Sequence, residues 1–233
     1  MTEPSQSHGS QAHSNHTCPV WIGYLLASPL RRLFESPDKL LGPLVKPGDR
    51  VLELGPGLGF FTLPLARAVG AAGKVVCVDV QAGMLDRLGR RLRKRALAER
   101  VELRLCEPDD LGLGDEHARC DLALALHVVH ETISPATTLR TLAACLKPGG
   151  QLLLVEPPGH ISRVTWQAEV SALEQAGLLR VSHPRAEGRK LLALWKKPSI
   201  QSAAADAADG KEPVASDRSD HPEPESADRA ADE

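Results

Sequence analysis

A chain of 233 residues is long enough to bury a full apolar core in one α/β domain and needs no disulfide or metal staple to fold. Hydrophobic residues at 42% and charged residues at 25% suit a globular chain, and no apolar run approaches the roughly 18 to 20 residues of a membrane helix, which excludes a spanning helical segment. The net charge of −2 hides an uneven split, because residues 200–233 carry ten acids and three bases and leave residues 1–199 with an excess of five positive charges.

That composition break divides the chain. Residues 200–233 are built from Ala, Asp, Glu, Pro and Ser with almost no large apolar side chain, so they cannot offset their own ordering entropy and are expected to be disordered. Residues 1–17 are expected to behave likewise; they hold no Lys or Arg and no apolar block, unlike a signal peptide, and the protein is expected in the cytoplasm. Five cysteines, scattered and without a CxxC pair, point to reduced thiols rather than a disulfide framework or zinc ribbon, and no metal is expected. The folded domain is therefore expected over 18–199, with no internal repeat.

Taken in chain order, residues 18–45 read as short helices, Trp21 to Phe34 and then Leu40 to Val45 behind a Ser36-Pro37 cap. Five of the seven aromatic residues fall within 21–61, so this segment is expected to form a helical lid over a site. Val51 to Leu54 is a short buried strand, after which a glycine-rich loop opens a helix that runs to Val69. Lys74 to Val80 is a second strand, and Met84, Leu85, Leu88 and Leu92 then mark the apolar face of an Arg-rich amphipathic helix. No aromatic residue interleaves those arginines, so they are read as a solvated face and nucleic acid is not expected as a partner.

Strands follow at Val101 to Leu105 and Asp121 to Leu126, then a helix capped by Ser134-Pro135 that ends at Lys147-Pro148-Gly149-Gly150. Gln151 to Val155 is a fifth strand, Ile161 to Ala176 a helix, and Leu179 to Ser182 with Leu191 to Trp195 a hairpin-like last pair. Repeated βα units predict a doubly wound, Rossmann-like α/β fold: a seven-stranded, mostly parallel sheet with an antiparallel last strand and helices on both faces. Ligands in such sheets bind beyond the carboxyl ends of the strands.

The strongest chemical signal lies at the end of the first strand, where Gly55, Pro56, Gly57, Leu58 and Gly59 follow Glu53 and Leu54. Alternate glycines let the backbone turn sharply and approach a ligand, and the helix start behind them offers free amides to an anionic group. The spacing is GxGxG; Phe60 breaks the dinucleotide pattern GxGxxG, and no GK[ST] follows as in a Walker loop. Asp79, at the end of the second strand, stands where a carboxylate can accept hydrogen bonds from both hydroxyls of a ribose.

In order, Glu53 to Gly59, Val78-Asp79, Asp121 to Leu126 and Leu146 to Glu156 resemble the successive motifs of class I S-adenosylmethionine-dependent methyltransferases, above all the small-molecule, ubiquinone-biosynthesis type. The resemblance spans about residues 45–197. It implies S-adenosylmethionine as cofactor, with Glu53, Gly55, Pro56, Gly57 and Gly59 around its methionine end, Asp79 on the ribose, and Val80 and Met84 against the adenine. Glu107 falls where the family places an acid for the adenine amino group, but the next residue, Pro108, lacks the backbone N–H the family uses there. Either the register moves towards Asp109 and Asp110 or that hydrogen bond is missing.

The resemblance puts His127, Val129 and His130 on the floor after the fourth strand, beside the sulfonium and the acceptor. Methyl transfer is an in-line displacement, which demands alignment and, for some acceptors, a base. His130 with the adjacent Glu131 is the candidate, since imidazole titrates near neutrality and a carboxylate can orient it. A small-molecule acceptor is expected; the alternatives are a protein or nucleic-acid methyltransferase, or a cofactor-binding module without catalysis. Leu126-His-Val-Val-His130 is not the Asn/Asp-Pro-Pro-aromatic pattern of nucleic-acid amine enzymes. Cys18 and Cys106 at the sheet rim raise metalloid chemistry, against the commoner reading of cysteines as small buried hydrophobes.

Overall fold

A computed structural model describes residues 36–157, 159, 161–181 and 191–199. The first part of the expected lid (18–35), Cys18 and the acidic segment from residue 200 lie outside the described residues. Seven strands form one sheet: β1 (Arg50–Leu54), β2 (Lys74–Asp79), β3 (Val101–Leu105), β4 (Cys120–Leu126), β5 (Leu146–Glu156), β6 (Leu179–Val181) and β7 (Leu191–Lys196). Their spatial order is β3-β2-β1-β4-β5-β7-β6. β1 to β5 are mutually parallel, and β7 runs antiparallel to both β5 and β6. The doubly wound, mostly parallel sheet expected from the alternation is thus the fold.

Near-continuous apolar strands are what a sheet covered on both faces requires. Alternate residues feed two cores: Val51, Val75, Leu122, Leu124 and Leu153 on one face, Leu52, Leu54, Val76, Val78, Leu152 and Leu154 on the other. The first face is covered by α1 (Pro37–Leu41), α2 (Thr62–Ala68) and α3 (Ala82–Arg93), the second by α4 (Pro135–Cys145) and α5 (Arg163–Gln175). In α3 the buried set Met84, Leu85, Leu88 and Leu92 confirms the amphipathic reading, with Arg90 and Arg93 turned to solvent. Among the described residues no helix is long and apolar enough to cross a membrane.

Several boundaries differ from expectation for local reasons. The helix expected over Leu40 to Val45 is α1, Pro37–Leu41, because Gly42 and Pro43 cannot extend it, and Leu40, Leu41 and Val45 enter the first core instead of remaining free. β5 begins at Leu146 rather than Gln151. Lys147 to Gly150 stays in the sheet because Gly149 N–H donates to Lys197 O and Lys197 N–H to Gly150 O, while the register against β4 slips between Cys120 and Leu122. Ser134 makes no cap to the backbone of α4 and donates instead to Thr137 Oγ1 at 2.9 Å. Ser162, by contrast, does cap α5, accepting from Thr165 N–H at 3.0 Å.

Away from the strand ends that matter for ligands, a charge network locks the sheet. Arg50 and Arg104 both bind the fully buried Glu116, Arg104 at 2.7 Å, and Arg104 also pairs with Glu102 and Asp115 at 2.8 Å. The start of β1 is thereby tied to β3 and to the turn ahead of β4. The guanidinium of Arg50 holds the Glu116 carboxyl below the usual carboxylate range.

Candidate functional site

The strand order reverses between β1 and β4, so the loops after these two strands diverge and leave a crevice, the usual ligand position in open α/β sheets. Gly55, Gly57 and Gly59 all have positive φ, at 64°, 52° and 83°. At Gly55 a Cβ would lie 2.6 Å from Val128 Cγ2, so the glycine loop after β1 packs directly on the loop after β4. At Gly57 nothing lies within 4 Å of where a Cβ would stand. That open space above a glycine with a bent backbone is a cradle a side chain would fill. Gly59 N–H donates back to Pro56 O at 2.9 Å to close the turn, and Arg91 of α3 donates to Leu58 O, holding the loop from outside.

Asp79 is half-buried at the end of β2 and accepts Gln81 N–H at 2.9 Å. Burial raises its carboxyl above the usual range, opposed by backbone hydrogen bonds from Gln81, Gly57 and Val80. The second strand end and the glycine loop therefore converge on one carboxylate. Val80 is 37% exposed beside it, and Met84 is buried at the start of α3. The residues present fit a nucleoside bearing a short chain: a carboxylate for a diol, an apolar flank, and open space over a glycine.

Glu53 is buried under the loop that follows β1. It lies on the same strand face as Val51, beneath α2, is 2% exposed, and accepts from Thr62 Oγ1 at 2.7 Å and from Cys77 Sγ at 3.5 Å. Burial pushes its carboxyl up to about 7. Glu53 thus braces the start of α2 under the loop. Thr62 was missed by sequence reading, because a threonine at a helix start carries no separate signal.

The loop after β3 is a tight turn at the surface. Glu107, Pro108, Asp109 and Asp110 are all exposed; Glu107 N–H donates to Asp110 O at 3.0 Å and Asp110 Oδ1 accepts Gly112 N–H at 2.9 Å. Asp110 is therefore used in its own turn, and Glu107 remains the nearer acid to β3. Cys106 is buried next to it, its N–H donating to Asp79 O at 3.1 Å. Burial raises the thiols of Cys106 and Cys145 to about 11 and of Cys120 to about 12, and all three are buried as small apolar side chains.

After β4 the chain turns at His127, whose φ of 60° is rare for a residue with a side chain, and whose N–H donates to Val155 O at 2.7 Å. Val129–Glu131 form one 3-10 turn. Val129 is buried in the second core, and His130 presents its ring at the rim. The carboxylate that orients His130 is not the neighbouring Glu131, whose Oε1 lies 3.9 Å from Nε2. It is Glu156, the last residue of β5, fully buried, with Oε2 bonded to His130 Nδ1 and Oε1 accepting Val129 N–H at 3.0 Å. Glu156 raises the His130 imidazole above its ordinary value, outweighing burial, with smaller contributions from Glu131 and Glu169. A carboxylate on Nδ1 fixes the tautomer that leaves Nε2 as the basic nitrogen. Sequence reading missed Glu156 as a site residue although an acid closing an apolar strand was visible.

Comparison with known proteins follows the same lines. Residues 52–154 match the family model described as a methyltransferase domain. The chain is 34% identical over 113 residues to the ubiquinone/menaquinone biosynthesis C-methyltransferase UbiE of Pseudomonas putida strain F1, covering 48% of this chain and 43% of that protein. It thus spans less than half the length of the curated relatives it matches. A SAM dependent methyltransferase from Aquifex aeolicus superposes with a TM-score of 0.67 at 24% identity, covering 77% of this chain and 98% of the other. The [4+2]-cyclase SpnF superposes at 0.57 with 18% identity over 69% and 79%. Those two likenesses carry the fold alone. Residues 52–154 are thus similar to a methyltransferase domain, on a sheet of the order β3-β2-β1-β4-β5-β7-β6 that these neighbours share in fold.

Proposed function

We propose that this chain transfers a methyl group from S-adenosylmethionine to a small-molecule acceptor in the cytoplasm. The observation that carries the reading is the packing of Gly55 on Val128, which sets the open cradle at Gly57 and the carboxylate of Asp79 beside the turn that bears His130. In this reading Asp79 holds the ribose hydroxyls, the open space at Gly57 and the helix start behind the loop take the methionine end, Val80 and Met84 flank the base, and His127 forms part of the wall. When bound, the cofactor supplies an electrophilic methyl carbon on a sulfonium, whose bonding pair leaves with sulfur.

The remaining work falls to the protein's own side chains. His130, its Nδ1 proton directed at Glu156, takes the proton of the acceptor at Nε2, and the electron pair freed on the acceptor atom makes the new bond to carbon. Imidazolium formed in this way stands against a fully buried carboxylate, so charge separation is compensated without rearrangement. Glu131, at the exposed side of the ring, adds a weaker field.

Calorimetric titration with S-adenosylmethionine and S-adenosylhomocysteine, followed by incubation of metabolite extracts with methyl-labelled cofactor, tests the proposal. Micromolar or tighter binding of both, and label in a low-mass product, are expected. His130→Ala then lowers turnover about 10²- to 10⁴-fold with cofactor affinity nearly unchanged. Absence of binding overturns the reading, and label found only in protein or nucleic acid overturns the acceptor class.

A further inference from the structure

On the second face of the sheet a cavity of about 590 Å³ lies between α5 and the outer strands β6 and β7. Arg163, Trp166 and Val170 line it from α5, spaced by three and four residues and so on one side of that helix. Ile161 ahead of α5, Arg180 of β6 and Leu191 of β7 line it from elsewhere. Trp166 and Val170 pack against the second core, while both arginines are exposed. Among the described residues neither guanidinium has a hydrogen-bond or ion-pair partner. Glu169, on the same helix, is 1% exposed among the buried residues of α5 and pairs with neither. Two unpaired cations over an apolar floor repel each other and favour one kind of guest, an anion with an apolar body.

The cavity also reaches the strand ends that bear His130. Leu191 is the register partner of Glu156 across the antiparallel pair β5–β7. Directly opposed residues of such a pair place their side chains on the same face, with Cβ atoms about 4.5 to 5.5 Å apart. Glu156 is the carboxylate bonded to His130 Nδ1. The wall formed by Leu191 is therefore one strand away from the His130–Glu156 pair.

We propose that this cavity is the anchoring subsite for the acceptor, and that the acceptor is an amphipathic anion, an apolar ring or chain that carries a carboxylate or phosphate group. The inference rests on the reading of the chain as a small-molecule methyltransferase and adds the acceptor's chemistry to it. Arg163 and Arg180 hold the anionic group, Trp166, Val170 and Leu191 hold the apolar body, and the accepting atom lies beyond Leu191 towards His130. Fixing a remote charged group in this way restricts the reacting end to the orientation that an in-line displacement needs.

The subsite can be tested without the acceptor and without methyl transfer. 2-Naphthoate and 2-naphthamide share an apolar body and differ in charge, and inorganic phosphate has charge without the body. Each is titrated into the full-length protein, with and without S-adenosylhomocysteine, while the indole N–H resonance of Trp166 is followed by NMR, assigned through Trp166→Phe. Naphthoate should shift that resonance and bind at least about tenfold more tightly than naphthamide or phosphate. The double variant Arg163→Gln, Arg180→Gln removes two exposed charges and should lose that preference; Arg163→Lys, Arg180→Lys should retain part of it, and Arg67→Gln, on α2 at the other face, all of it. Equal binding of naphthoate and naphthamide, a Trp166 resonance that does not move, or wild-type naphthoate affinity in the double Gln variant overturns the subsite. Phosphate binding as tightly as naphthoate overturns its apolar half. In metabolite extracts the labelled product should be retained on an anion exchanger, and label confined to neutral or cationic molecules overturns the acceptor class. Absence of S-adenosylhomocysteine binding beside a charge-selective naphthoate site removes the methyltransferase reading and leaves the anion site standing.

Discussion

The glycine loop separates what folding needs from what binding needs, because two of its residues share a backbone conformation and differ in surroundings. Gly55 has φ of 64° and an alanine Cβ there would stand 2.6 Å from Val128 Cγ2. Gly55→Ala therefore combines left-handed strain of about 1 to 2 kcal/mol with overpacking of about 1 to 3 kcal/mol, a loss of roughly 2 to 5 kcal/mol in all. Gly57 has φ of 52°, and nothing lies within 4 Å of its would-be Cβ. Gly57→Ala should carry only the strain, about 1 to 2 kcal/mol, but its methyl group projects into the cradle. Urea denaturation gives the stabilities, and calorimetry with S-adenosylhomocysteine the affinities. The expected pattern is a folded Gly57→Ala that has lost at least about tenfold in affinity, and a Gly55→Ala whose stability is partly recovered by Val128→Ala. Wild-type affinity in Gly57→Ala would refute the reasoning that this open space is the cofactor's.

Glu53→Gln should flatten the pH dependence of stability. An acid whose folded value rises from 4.5 to about 7 opposes folding increasingly as pH climbs through that window, by about 3 kcal/mol once above it. Urea midpoints for the two proteins should therefore diverge between pH 4 and 8 in favour of the variant, and parallel curves would show that folding leaves the Glu53 carboxyl at its ordinary value. Glu116→Gln should destabilise by about 2 to 4 kcal/mol at pH 7, since it leaves Arg50 and Arg104 facing a neutral amide in a buried position. Because the Glu116 carboxyl is held below its usual value, its contribution is present above the ordinary carboxylate range and fades as pH falls through the lowered one. The difference between wild type and variant should accordingly narrow in acid. Asp79→Asn should weaken S-adenosylhomocysteine binding by about 1 to 3 kcal/mol in calorimetry while leaving the urea midpoint close to wild type, and unchanged affinity would remove Asp79 from the ribose site.

What could be read from the sequence was whatever local chemistry states in one dimension. Val51 to Leu54 and Asp121 to Leu126 announce buried parallel strands by unbroken apolar runs, and Gly55 to Gly59 announces a turn that only glycine permits. Lys147 to Gly150 was misread for the same reason: Pro and Gly punctuate a chain unless a distant strand captures it, and Lys197 does so. Likewise His130 was legible, as a histidine just past a strand, while its partner was not. Adjacency in sequence favoured Glu131. The imidazole in fact turns towards Glu156, 26 residues away, because β4 and β5 are neighbours and their ends meet. Glu169 did carry a signal that the reading passed over, an acid in the middle of the helical face that Trp166, Ala172 and Leu173 form.

The acids of this domain divide by environment, and the division follows the sheet. Glu116 and Asp115 meet arginines and are held below their ordinary values; they add stability and do not change state near neutrality. Glu53 and Asp79, on β1 and at the end of β2, meet burial before any cation and are pushed upward, as is Glu169 in α5. Packing alone would select against such groups, because each makes the folded state less favourable at the pH where the protein works. Upward-shifted acids on the two strands beside the crevice, with a histidine after β4 raised by its carboxylate partner, suit a site that handles protons and cationic groups, and the proposed sulfonium donor with a proton-bearing acceptor asks for both. The strain at His127 points the same way, since a left-handed histidine at the end of β4 is held there only by the elements on either side of it.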